Sequence, residues 1–190
     1  MNNKLISLAV IGLLLPSFAS AEGLLSYKPP KVGTSKDSVG GGTRSLETPK
    51  IQILAPKQVA LTNQTQPILY WYSSDFNPQE VEIILIEDGS DKPLLEKRLS
   101  VTQGLKSVNL VDYGVSLQKG KKYQWSVSVL NTSENTSANI MYQTAETSLS
   151  TVEQKAQNGY WYDALQQLVE NHSLLANDLV KQIGFETPIF

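Results

Sequence analysis

From Ile51 to about Thr144, apolar and polar side chains alternate with a period of two, and beyond Thr144 the period lengthens to that of a helix. The first stretch is rich in β-branched and aromatic residues, which suit a pleated, half-buried backbone. It divides into seven predicted strands: Ile51–Ala55, Ile68–Ser73, Val81–Glu87, Leu94–Val101, Lys106–Val111, Lys122–Leu130 and Asn139–Thr144. Turn formers separate them, at Pro56-Lys57, Asn77-Pro78, Asp88-Gly89-Ser90-Asp91, Gln103-Gly104 and Lys119-Gly120. No helix-period segment interrupts the series, which argues against βαβ units. The pattern predicts a mainly β fold, an immunoglobulin- or fibronectin-like β-sandwich over residues 51–146.

Two places sharpen that prediction. In Lys122–Leu130, Tyr123, Trp125, Val127 and Val129 share one face, while Gln124, Ser126 and Ser128 share the other. Just upstream, Leu117-x-x-Gly120-x-x-Tyr123 matches the turn into strand F of such sandwiches, where a tyrosine hydroxyl ties back the corner. The second place is Pro67–Tyr72, an apolar strand whose Trp71 is expected to plug the core between the sheets.

The helical stretch carries one stripe. Trp161, Ala164, Leu165, Leu168 and Val169 recur at i, i+3, i+4, i+7 and i+8, and Asp163 lies in the first turn, where a negative charge suits the helix dipole. Leu149–Asn158, ended by Gly159, and Leu174–Ile183, ended by Gly184, predict flanking helices. Residues 147–190 thus form a helical cap. Gly159–Leu168 also looks like the turn and second helix of a tetratricopeptide repeat, and one such unit cannot bury its stripe alone. The stripe must pack on the sandwich or on a partner, with Trp161 central and Tyr162 off to one side.

The N-terminus differs from both regions. Asn2, Asn3 and Lys4 precede the apolar run Leu5–Leu15, then Pro16 and the small residues Ala19-Ser20-Ala21 follow, the build of a cleavable signal peptide over residues 1–21. The run is too short to span a bilayer, which needs roughly 20 apolar residues. A periplasmic or secreted product starting at Glu22, with no stable membrane insertion, is expected. Residues 22–50, with Pro29-Pro30 and Gly40-Gly41-Gly42, read as a flexible arm. The Gly run has neither GxGxxG spacing nor a GK[ST] ending.

Composition narrows the chemistry. The chain has no cysteine, so it forms no disulfide and carries no lipid-modified cysteine anchor. Without the first 21 residues it holds 15 Lys and Arg against 18 Asp and Glu, a net charge of −3 with the signs interspersed, which argues against a nucleic-acid partner. His172 is the single histidine, so an ordinary zinc site is beyond reach, and no Gly-x-Ser-x-Gly is present. His172 reads as a helix-end packing residue. No cofactor is expected.

Several of these residues recur together in one family. Gly40-Gly41-Gly42-Thr43-Arg44, Leu54-Ala55-Pro56, Pro67 with Trp71-Tyr72, Gly120-x-x-Tyr123-x-Trp125 and Gly159-Tyr160-Trp161-Tyr162-Asp163-Ala164-Leu165 follow in that order. The chain resembles the domain of unknown function 928 family, secreted bacterial proteins mainly of cyanobacteria and proteobacteria. The resemblance covers nearly all of the chain after the signal and implies no activity, cofactor or catalytic residue.

Among the remaining side chains, carboxylates could serve a glycoside hydrolase. Glu80 and Glu82 share a strand face, and Glu87, Asp88 and Asp91 crowd a hairpin, yet solvated face and turn chemistry explain them more simply. The hairpin acids also lack the ligand rhythm of a calcium loop. Trp71, Trp125 and Trp161 read as core. Tyr70, Tyr72, Tyr160 and Tyr162 alternate with core positions and are the expected partner-binding residues, exposed for contact with another envelope or secreted protein. The expected function is a non-enzymatic binding or adaptor module, with a carboxylate-dependent hydrolase of envelope polysaccharide as the alternative.

Overall fold

The computed structural model describes residues 25–32 and 50–190. The expected signal peptide over residues 1–21 and the Gly40–Gly42 run fall outside the described residues. Among the described residues eight strands form two sheets and three short helices follow them. The three-stranded sheet has the order β1-β3-β6: β1 is Ile51–Ile53, β3 Ile68–Ser73 and β6 Gly104–Asn109, all antiparallel. The five-stranded sheet has the order β2-β8-β7-β4-β5: β2 is Ala60–Thr62, β4 Gln79–Glu87, β5 Pro93–Val101, β7 Lys122–Val129 and β8 Asn135–Tyr142. Within it only β2 and β8 run parallel. Their inward faces meet in one core, a β-sandwich.

The alternation in β7 sets the centre of that core. Tyr123, Trp125, Val127 and Val129 are buried, opposite Leu85, Ile83 and Val81 of β4. Across from them, Leu69 and Trp71 of β3 are fully buried, so Trp71 does plug the inter-sheet space. The Tyr123 hydroxyl accepts from the Gln118 amide at 2.9 Å, the tie expected at this corner. After β6 the chain makes a 3-10 turn, Leu110–Tyr113, where a last stretch of strand was predicted. Asn109 accepts from the Val111 amide there and ends the strand by capping the turn.

The helices are α1 (Val152–Gln157), α2 (Trp161–Glu170) and α3 (Leu175–Lys181). A capping box starts α1, with Thr151 accepting from the Gln154 amide and Gln154 reaching back. The α2 stripe faces inward as its spacing demands: Trp161, Ala164, Leu165 and Leu168 are all buried. The sandwich supplies the other wall, since the Trp161 indole donates to the Leu54 carbonyl at 2.8 Å. No described helix is long and apolar enough to cross a membrane.

The expectation of a flexible arm from residue 22 is corrected over residues 25–32, which form a packed strap. Leu25 is buried, the Lys28 amide donates to the Ala156 carbonyl at 3.0 Å, and Gln182 of the α3 end holds both flanks of the strap. Its side-chain oxygen accepts from the Tyr27 amide and its nitrogen donates to the Leu25 carbonyl, at 2.9 and 2.8 Å. The Tyr27 ring meets Trp161 edge-on at 4.9 Å. These anchors lie in the C-terminal helices, too far along the sequence for local periodicity to register.

Candidate functional site

A cleft of about 540 Å³ lies where strap, sandwich and cap meet. Its size lies within the range of small-ligand sites, roughly 300–1,000 Å³. Four separate stretches of chain build it. Tyr27 and Pro29 come from the strap, Gln52 and Ile53 from β1, and Ala55 to Gln58 from the loop that leaves the three-stranded sheet. Thr136 and Ser137 come from the start of β8, with Gln182 and Ile183 from the end of α3. The lining mixes apolar surface with amides and hydroxyls. Among the described residues Lys57 is its one charged side chain, and none of them lines it with a carboxylate.

Behind the cleft lies an aromatic assembly. Tyr162 is buried to 2% exposure; its hydroxyl accepts from the Trp125 indole at 2.9 Å and donates to the Asn139 carbonyl at 3.3 Å. Burial pushes its phenol well above the ordinary tyrosine value, against a smaller opposing pull from Trp125. Tyr27 is raised for the same reason, desolvation, and its buried hydroxyl has no hydrogen-bond partner among the described residues. Asp163, 5% exposed, fastens α2 to the loop after β2 by accepting from the Asn63 amide at 3.0 and 3.2 Å. Burial raises its carboxyl, outweighing the Asn63 hydrogen bond and the nearby Lys155.

The four tyrosines expected as an exposed binding set do not form one surface. Tyr70, Tyr160 and Tyr162 are buried, and Tyr72 is half-buried against Phe185 at 5.2 Å. The physical reason is that β3 is covered on both faces. One face packs on the other sheet, while Tyr70 and Tyr72 lie on the other, which the C-terminal segment covers. Burial, with a smaller push from Glu170, lifts the Tyr70 phenol to about 12. Tyr160 borders a second hollow of about 330 Å³ beside Leu61, Gln143 and Glu146. Tyr162, placed off the stripe by its helical angle, is buried because the sandwich edge reaches round the first turn of α2.

Sequence reasoning missed the cleft residues Tyr27, Gln52, Lys57, Ser137 and Gln182. Pro56-Lys57 reads as a turn, and only the strap's packing turns that loop into a wall. Glu80 and Glu82 stand on β4, with Glu82 accepting from Arg98 at 2.9 Å, and Glu87 pairs with Lys121 at 2.7 Å. Asp88 pairs with Lys122 at 2.7 Å. None of these acids lines the cleft, and no three of the described His, Asp or Glu side chains group as a metal site. His172 sits just after α2 with a positive φ of 49°, its ring 5.7 Å from that of Phe190.

A family model described as Domain of Unknown Function (DUF928) matches residues 39–183. No curated protein matches the sequence. Among solved structures, a chain from that of the Salmonella enterica SafA pilin in complex with the SafB chaperone is similar at a TM-score of 0.39 and 11% identity. The match covers 55% of this chain and 59% of that one, so this chain spans less than two thirds of it. The sulfur carrier protein SoxY from Chlorobium limicola is similar at a TM-score of 0.32 and 13% identity, over 50% of this chain and 81% of that one.

Proposed function

The chain belongs to the DUF928 family, and from that premise we propose that it is an exported, non-enzymatic binding or adaptor module of the cell envelope. The observation that carries this reading is the cleft, which four separate stretches of chain assemble and whose walls are already held in place by the strap and the Gln182 bonds. Pre-formed concave surface with a few polar groups is what a recognition site requires. The partner is another envelope or secreted protein, and the location is periplasmic or secreted, following from the signal-like residues 1–21. The immunoglobulin-type sandwich and the tetratricopeptide-like turn of α1 and α2 belong to the same reading, the latter with its stripe turned inward on the sandwich. A carboxylate-dependent hydrolase would need two facing carboxylates, and among the described residues none lines the cleft.

The test is site-directed photo-crosslinking in the native envelope. A benzophenone side chain at Gln58, on the cleft wall, should capture one reproducible protein identified by mass spectrometry. The same probe at Phe76, an exposed site between β3 and β4, should not. Equal capture from both positions, or none, refutes the assignment. N-terminal sequencing of the exported product should find Glu22 first.

A further inference from the structure

The register of β8 says which of its backbone groups face the cleft. The Val129 amide donates to the Glu134 carbonyl at 3.0 Å, so the even-numbered residues of β8 turn their backbone groups toward β7. The odd-numbered residues turn the other way: the Gln143 amide donates to Thr62 of β2, and the Asn139 carbonyl accepts from Tyr162. On that side β2 accompanies β8 only from Ile140 to Tyr142. The loop before β2, through Lys57 and Gln58, swings away and forms the far wall of the cleft. The Ser137 amide and carbonyl therefore point at the cleft with no described strand beside them, and Ser137 is exposed.

Edge strands that are not meant to be paired usually carry a deterrent. β5 has two: Pro93 at its start, and Lys97 on the inward register opposite Ile83, with its ammonium 5.2 Å from the centre of the Tyr113 ring. Thr136, Ser137 and Ala138 carry small side chains and neither proline nor charge. The cleft's charge is also unmatched, because Lys57 is exposed and makes no ion pair among the described residues. A sugar would want an aromatic platform, and the Tyr27 ring is already engaged by Trp161.

Resting on the cleft as the binding site, we propose that it takes an extended segment of a partner protein bearing an acidic side chain. The segment adds as a strand to the outer edge of β8 at Ser137, with its carboxylate toward Lys57. Backbone hydrogen bonds supply the attachment and the charge sets which segment is accepted.

The probe is a synthetic heptapeptide of alternating threonine and valine with a central glutamate, titrated into the 15N-labelled protein starting at Glu22, at low salt. Saturable amide shifts are expected at Thr136, Ser137 and Gln52. Alternate N-methylation of the same peptide removes its donors and should abolish them. Lys57→Glu should weaken the glutamate peptide about two- to fivefold, as for an exposed ion pair, and should reverse its preference over a central-lysine peptide. Ser137→Pro should also abolish binding; the N-methyl peptide gives the same information on the unaltered protein if that variant does not fold. The proposal is overturned by no saturable shift up to about 1 mM, or by shifts indifferent to N-methylation. It is equally overturned if hexagalacturonate shifts these amides and the peptide does not, or if the Ser137 amide is protected from exchange in the free protein, its edge then filled by the chain itself. Should the peptide fail while a crosslinker at Gln58 still captures a protein, strand addition falls and the binding reading stands.

Discussion

Replacing Gly159 with alanine adds one methyl group at the turn between α1 and α2, and the geometry there assigns that methyl two separate costs. Gly159 has φ of +85°, where a side chain crowds its own backbone, a cost of about 1–2 kcal/mol. The new Cβ would also stand 2.9 Å from Cβ and Cδ of Pro30 and 3.1 Å from its nitrogen, so the strap must move. Overpacking of this kind costs about 1–3 kcal/mol. Gly159→Ala should therefore destabilise by about 2–5 kcal/mol in urea unfolding, with little change in the denaturant slope. Pro30→Gly removes the ring that the methyl strikes. The double variant should then be more stable than the sum of the singles by roughly the overpacking share, about 1–3 kcal/mol. The Lys28 amide, bonded to Ala156, reports the same event by hydrogen exchange: faster in Gly159→Ala, with no further acceleration in the double variant. Additive energies within about 0.5 kcal/mol would falsify the claim that Gly159 is kept clear for the strap.

Tyr162→Phe leaves the buried Trp125 indole without its acceptor and should cost about 1–3 kcal/mol. A loss below about 0.5 kcal/mol by thermal or urea unfolding counts against that bond. Asp163 has a carboxyl raised by burial, so the native state holds its proton more tightly than the unfolded chain does. Stability relative to Asp163→Asn should thus rise as pH falls from neutral toward the ordinary aspartate value, about 3.9, and level off below it. A flat or falling difference over that window refutes the assignment. Trp161→Ala should cost about 3–5 kcal/mol, as for other large buried aromatics, because its ring sits between Tyr27 and the Leu54 carbonyl. An unchanged melting temperature would mean that the indole is not part of the core.

Regions whose partners are near in sequence, or whose pattern is periodic, were legible before any coordinates. The strand Ile68–Ser73 has the bounds its composition implies, and the β7 alternation and α2 stripe face inward as spacing requires. β2 went unseen because it has three residues, all buried, and so no alternation to detect. The strap escaped notice because Leu25, Tyr27 and two prolines look too sparse to fold. Their burial is supplied by Trp161, Ala156 and Gln182, more than a hundred positions away. The exposed tyrosine set failed for a related reason. Alternation within β3 separates two faces but does not say that both are covered. The cleft inherits all of this, since its walls come from segments that only the finished packing brings together.

The strap's anchoring also fixes an order of assembly. Gln182 closes hydrogen bonds to residues 155 and 157 positions earlier, so the strap, synthesised early, is among the last parts to be fastened. At about 5–20 residues per second of synthesis, the strap waits on the order of 10 s for its anchor to be made. Over that interval Tyr27 has no Trp161 to meet, and later no α3 to hold it there. Contacts of such high sequence separation are slow to form and leave apolar surface open until they do. A chain interrupted before Gln182 would carry a complete set of strands and an unlatched aromatic assembly, a species for proteases and chaperones to recognise by its loose N-terminus.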